Sequence, residues 1–312
     1  MLLLVAAAVL AAPVTAAADE SDAPGHPWRR RLNGHYFVPS LVVVNPFLAT
    51  WFSSQLGFGV AFADGPSFNP TGNRSGSDSY VAGALAETVA FQANVLDWWA
   101  LRIAGGGGLY GGQDAKSALV LGATEFFSVT PGTTVAWTIG RTLKLGGALD
   151  FTWSPSRVVD PLAAVQRSLA QASATSSGVS ERVSSFEIRT GGTVAWAPHA
   201  AFGLLGAALY LWQDKTGDAG EQLHAMVLGV SAQFDFLPIF PSAPVALLAS
   251  YQARIPLGSD VRTTQDIEAG IYYTARPALV LGAVSQVRFF DVRPGFSTTA
   301  LFGTALLRYY WN

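Results

Sequence analysis

The closing stretch Ser297-Thr298-Thr299-Ala300-Leu301-Phe302-Gly303-Thr304-Ala305-Leu306-Leu307-Arg308-Tyr309-Tyr310-Trp311-Asn312 decides how the rest of the chain is read. A β-strand sends successive side chains to opposite faces. That period puts Thr299, Leu301, Gly303, Ala305, Leu307, Tyr309 and Trp311 on one face, and Phe302, Thr304, Leu306 and Arg308 on the other. One charge confined to one phase, an apolar opposite phase and aromatic rings at the tip describe the last strand of a membrane β-barrel.

Working outward, the composition supports an embedded protein. Of 312 residues, 50% are hydrophobic and only 13% charged, against roughly 25% charged in soluble domains. The chain has no Cys, which excludes disulfides, thiolate metal sites, cysteine nucleophiles and a lipid anchor at a cleaved Cys. A net charge of −2 leaves no electrostatic footprint for nucleic acid. Residues 1–18 form an apolar run ending in Ala16-Ala17-Ala18. They read as a secretory signal removed at an A-x-A site, although basic residues before the run are missing. Residues 19–46, with Pro24, Pro27 and Arg29-Arg30-Arg31, read as a periplasmic leader or a plug-like segment.

From Phe47 to Asn312 the alternation predicts about twelve strands, near 47–63, 80–95, 98–110, 125–139, 143–153, 185–197, 201–213, 221–236, 244–255, 264–275, 278–290 and 298–311. Tight connections alternate with longer polar ones. Short turns on one side and long loops on the other are the signature of an outer-membrane barrel, and the alternation places both chain ends in the periplasm. The expected fold is all-β: a transmembrane antiparallel up-and-down β-barrel of about twelve strands with a short helical loop insert. A soluble all-β protein would keep one sheet face polar. Here the second face is small instead, as in Ala82, Ala84, Ala86, Thr88 and Ala90.

Charge phase is an independent test. Opposite the large apolar residues of each strand fall Arg102, Lys144, Asp150, Glu187, Arg189, Asp235, Arg254, Asp266, Glu268, Arg288 and Arg308. Charges facing lipid are destabilising, so this set is expected to line a wet lumen. Only Glu87 falls on the apolar phase, implying a bulge, a shifted register or a subunit contact. Six cations and five anions make the interior mixed in sign, which suits either a weakly selective solute path or an interior locked by ion pairs. Candidate pairs are Glu187 with Arg189, and Asp266 or Glu268 with Arg254 or Arg288. Residues 154–184 read as a long extracellular loop. Within it Asp160-Pro161 opens a short helix whose stripe Leu162, Val165 and Leu169 would serve as a gate or lid at the barrel mouth. A second short helix is expected after Asp114. Tyr309 and Trp311 belong to the interfacial girdle.

Catalytic motifs fail on context. Gly106-Gly107-Gly108-Leu109-Tyr110-Gly111 fits the dinucleotide fingerprint but does not open a helix in a βαβ unit. The four histidines show no metal-ligand spacing, so no cofactor or metal is expected. Gly229-Val230-Ser231-Ala232-Gln233 lacks the last glycine of a nucleophile elbow. Barrels with phospholipase activity imply a serine beside a histidine on the outer wall, and His224 lies on that phase.

Through its leader, the hairpin Asn94-Val95-Leu96-Asp97-Trp98-Trp99 and its lumen of small and aromatic residues, the chain resembles long-chain fatty acid transporter-like and porin-like outer-membrane barrels of Gram-negative bacteria. It departs from the former in having about twelve strands instead of fourteen, and in ending on Asn312 after Trp311. The resemblance implies passive passage of small, hydrophobic solutes. Expected partners are outer-membrane lipids, the barrel-assembly machinery and the solutes themselves. A sealed structural or adhesive barrel is the alternative, and an outer-membrane lipid hydrolase a more distant one.

Overall fold

A computed structural model describes residues 30–68, 74–159, 161, 180–216, 222–258, 262–291 and 297–311. The signal and gate-helix expectations, including Leu162, Val165 and Leu169, lie outside these residues. A two-stranded hairpin comes first, β1 (Arg31–Leu32) with β2 (His35–Tyr36). Asn33 and Gly34 turn it, with φ of 47° and 84°. Two positive values in a two-residue turn match the strand twist and favour Asn-Gly.

The wall follows: β3 (Trp51–Phe68), β4 (Arg74–Leu96), β5 (Trp99–Gly112), β6 (Ala123–Ile139), β7 (Leu143–Val159) and β8 (Ser180–His199). It continues with β9 (Phe202–Thr216), β10 (Gln222–Asp235), β11 (Val245–Pro256), β12 (Thr264–Arg276), β13 (Leu279–Asp291) and β14 (Ser297–Tyr310). One helix, α1 (Ala115–Leu121), interrupts the series between β5 and β6. Each strand pairs antiparallel with its sequence neighbour, and β14 returns to β3 with Ser297 opposite Asp64 and Tyr310 opposite Trp51. The result is a closed twelve-stranded barrel. Closure leaves no open edge for lipid to desolvate.

Burial alternates along the strands, inverted relative to a soluble sheet. On β12, Ile267 and Ile271 are 46% and 58% exposed, whereas Asp266, Glu268 and Tyr272 are buried. The outer face is apolar and the inner face carries the charge, which is the arrangement a bilayer selects. No helix among the described residues is long and apolar enough to cross a membrane, so crossing belongs to the strands.

Boundaries differ most from expectation in three places, the first being the long connection expected over 64–79, which is shorter because β3 runs to Phe68 and β4 starts at Arg74. The wall begins at Trp51, so 47–50 belong with the leader. The predicted loop at 154–184 is shorter, because β7 continues to Val159 and β8 starts at Ser180, with Pro155 opposite Ser184. Proline lacks a donor and reads as a strand end, yet a position whose N–H would face away from the ladder bond tolerates it.

Candidate functional site within the lumen

The site is built by what the wall encloses. Residues 30–50 run inside the barrel, where an extended backbone without its own ladder needs other partners. Inward side chains from four strands supply them. Gln233 on β10 accepts from Val38 N at 2.8 Å and donates to Val38 O at 2.9 Å. Glu268 on β12 accepts from Ser40 Oγ at 2.5 Å and from Leu41 N at 2.9 Å. Gln252 on β11 donates to Val42 O, and Tyr272 on β12 donates to Pro39 O at 2.7 Å. Gln92 on β4 donates to both Phe47 O and Ala49 O at 2.9 Å. Apolar contact completes the docking, with Phe37, Val42, Val43 and Phe47 buried against Ala195, Ala197, Leu205 and Ala207.

At the periplasmic end by the expected orientation, Arg30 is buried and donates to Phe37 O at 2.6 Å. Its guanidinium lies 4.7 Å from the Tyr310 ring, next to Arg308 stacked 4.0 Å over Trp51. His35 is fully buried with Nδ1 3.2 Å from Ala200 O and Nε2 without a partner. Burial pushes its ring from the ordinary 6.5 down to about 4, opposed by the Ala200 bond.

Every charged position expected in the lumen lies on the inward phase. Arg102 Nη2 meets Asp150 Oδ1 at 2.6 Å. Glu187 and Arg189 are 3.2 Å apart, and Asp266 and Arg288 2.6 Å apart, as two of the expected pairs. Arg254 instead reaches Glu187 at 3.7 Å and Gln213 at 2.9 Å. Among the described residues Glu268 pairs with no arginine; it holds the leader instead. Asp235 accepts from Leu237 N at 3.0 Å and Thr274 Oγ1 at 3.3 Å, and Lys144 approaches Thr138 Oγ1 at 3.4 Å. Glu87 is exposed on the outer face, and its unshifted pairing with Leu56 and Gly107 removes the bulge and register explanations. Tyr309 and Trp311 also face outward, edge to face at 5.3 Å.

The opposite end is partly filled by α1. Asp114 caps it, accepting from Ser117 N at 2.8 Å and Ser117 Oγ at 2.9 Å, which holds its carboxyl below the usual range. A Cβ on Gly112 would lie 2.1 Å from Ala118 N, so only glycine lets the helix fold back this closely. Val120 and Leu121 pack on Ala63, Tyr80 and Ala82, inward residues of β3 and β4.

Between the leader tip at Leu41 and α1 at Leu121 lies a cavity of about 550 Å³. Ala61, Ala63, Ala82, Ala84 and Ala86 leave the space, Phe126, Phe290 and Phe302 wall it, and Arg288, Gln286 and Gln55 give it a few polar atoms. A larger hollow of about 790 Å³ lies on the outer face, floored by the cross-strand row Ala232, Ala249, Ala269, Ser285 and Gly303. It faces lipid and is no part of the lumen.

Ser231 is buried on the inward phase, while His224 lies on the outer phase with its Nδ1 2.5 Å from Tyr210 Oη. The two cannot form a hydrolytic dyad across the wall. Among the described residues no group of His, Asp or Glu is placed to hold a metal ion. Sequence reasoning missed Gln92, Gln233, Gln252, Ser40 and Tyr272 because it followed charge. Inward-phase amides on otherwise apolar strands were the available signal.

A closed antiparallel wall, apolar outside and charged inside, defines a transmembrane β-barrel of the bacterial outer-membrane type. The same fold is found in a Pseudomonas aeruginosa FadL homologue, with 10% identity, a TM-score of 0.50 and coverage of 91% of this chain and 97% of that one. It is also found in the transport unit of the autotransporter AIDA-I from Escherichia coli, with 12% identity, a TM-score of 0.50 and coverage of 89% and 95%. No protein family model and no curated protein matches the sequence.

Proposed function

We propose that the barrel gives passive passage across the outer membrane to small, hydrophobic solutes, with its long loops outside and its leader acting as a displaceable plug. The observation that carries this reading is the lumen cavity between Leu41 and Leu121. It is walled by alanine and phenylalanine, although the rest of the lumen is charged or filled. Ligand pockets are mostly apolar with a few placed polar groups, and this one has that balance. The described contacts that hold the leader are hydrogen bonds, apolar packing and the Arg30–Tyr310 ring contact, so its release breaks no covalent bond.

The density of those bonds favours a second reading, a sealed structural barrel. Reconstitution into liposomes separates the two. Uptake of a hydrophobic fluorescent solute above protein-free vesicles, faster in a Glu268→Gln variant with a loosened leader, supports passage. Background uptake by both proteins would leave the sealed barrel.

A further inference from the structure

We infer that the turn between β10 and β11 is a membrane-inserting anchor whose partner is the phospholipid leaflet at that end of the barrel. The proposed orientation makes this the periplasmic leaflet, and the inference does not depend on whether the lumen passes a solute. The other short turns at this end hold or adjoin a polar or charged residue: Asp97, Arg141, His199 and Arg276. Residues 237–244, Leu-Pro-Ile-Phe-Pro-Ser-Ala-Pro, carry no charge. Ile239 and Phe240 stand at the tip, 45% and 54% exposed.

Apolar side chains alone do not admit a turn to lipid, because unpaired backbone groups resist desolvation. The donors of this turn are nearly all satisfied. Asp235 Oδ1 accepts from Leu237 N at 3.0 Å. Phe236 O accepts from Ile239 N at 3.0 Å and from Phe240 N at 2.7 Å, and Phe240 O accepts from Ala243 N at 2.8 Å. Pro238, Pro241 and Pro244 have no N–H to satisfy. Only the Ser242 N–H is left without an intramolecular acceptor. The carbonyls left over set the depth, keeping the turn at the boundary between headgroups and acyl chains, where water still reaches them. Continuity names the occupant. Phe236 packs edge to face on Phe234 at 4.9 Å, and Phe234 borders the hollow of about 790 Å³ on the lipid-facing wall. The apolar surface therefore runs from the wall through Phe234 and Phe236 to Phe240, and the leaflet that covers the wall covers the turn.

The test uses the absence of native cysteine. Ser242→Cys, which keeps Ile239 and Phe240, and Arg141→Cys in the turn between β6 and β7 are each labelled with a small fluorophore and reconstituted in phosphatidylcholine liposomes. Both turns lie at the same end of the barrel, so the direction of insertion affects them equally. A lipid with a spin label near the glycerol end of its acyl chain should quench the label at 242 about threefold or more strongly than the label at 141, and aqueous iodide should show the reverse order. Ile239→Asp/Phe240→Asp in the Ser242→Cys background should restore iodide quenching and lose lipid quenching while the barrel stays folded by its heat-modifiable gel mobility. Replacing half the phosphatidylcholine with phosphatidylglycerol should change nothing, because the turn carries no charge. Iodide quenching at 242 equal to that at 141 overturns the anchor. Lipid quenching that falls as protein is concentrated in the bilayer assigns the turn to a second copy and overturns it too, and strong dependence on phosphatidylglycerol overturns the acyl contact in favour of the headgroups. Solute uptake enters none of these readings, so a sealed barrel with an inserted turn refutes only the passage reading.

Discussion

Arg102 and Asp150 meet at 2.6 Å although they stand on β5 and β7, two strands apart, because Gly132 on the intervening β6 presents bare backbone beneath them. A Cβ on Gly132 would lie 2.0 Å from Asp150 Oδ1. Gly132→Ala is therefore accommodated by rotating the carboxylate off its arginine. It should lower barrel stability by about 1–3 kcal/mol, the usual cost of stranding a buried charged hydrogen-bonding group. Urea unfolding in detergent measures it. In an Asp150→Asn background, where the ion pair is already gone, the same glycine change should cost much less.

Glu268 concentrates two leader bonds on one carboxylate. In Glu268→Gln one oxygen becomes a donor facing the Ser40 hydroxyl or the Leu41 N–H. Leader docking should weaken by about 1–2 kcal/mol without loss of the barrel. A Ser40→Cys reporter should then react faster with a water-soluble maleimide. Unchanged labelling would show that these bonds do not hold the tip.

Acid should loosen the same segment at its other end. His35 is buried neutral with a folded value of about 4 against 6.5 unfolded. The undocked leader binds the proton more readily, so the contribution of His35 is complete above pH 6.5 and is lost progressively as pH falls toward 4. At roughly 1.4 kcal/mol per pH unit it amounts to about 2–4 kcal/mol. Arg30, the nearby cation, adds to the cost of protonation. Protease cleavage of the leader measured from pH 7 to pH 4 should rise, and His35→Leu should flatten the rise.

Filling the cavity tests the route. Ala84 lines it from β4, whereas Val89 on the same strand is 40% exposed on the outer wall and does not border it. Ala84→Trp should cut uptake of a hydrophobic solute by roughly tenfold through loss of pore width. Val89→Ala should leave it near the parent rate. Equal uptake in Ala84→Trp would move the route elsewhere.

Glu87 is exposed on the outer face between Leu85 and Val89. If lipid is its surrounding, Glu87→Leu should stabilise the barrel by roughly 1–2 kcal/mol, below the penalty of about 2–4 kcal/mol for midplane Arg or Lys. Destabilisation accompanied by dissociation on crosslinking gels would identify a subunit contact instead.

Much of the wall was legible because two signals agree along each strand. On β12 the two-residue period separates Ile267 and Ile271 from Asp266 and Glu268, and the structure keeps that separation. Pro155 lies inside β7, beyond the end expected at 153, and a missing donor is visible in sequence but the direction it faces is not. The leader was less legible. It carries no period, and its partners are uncharged or stand far along the chain: Val38 to Gln233 spans 195 residues and Pro39 to Tyr272 spans 233. Local pattern cannot announce such a pairing. Arg254 illustrates the same limit, because its choice of Glu187 over its neighbours depends on strand stagger.

Those long separations also order events in time. Residues 30–50 precede every wall strand in synthesis and export, yet their acceptors and donors on β10, β11 and β12 come from the last third of the chain. Contacts so distant in sequence form late, because the entropy of closing the intervening loop must be met first. Docking of the leader therefore reports completion of the barrel: an unfinished wall lacks Gln233, Gln252, Glu268 and Tyr272, and the segment stays accessible until the last hairpins are in place.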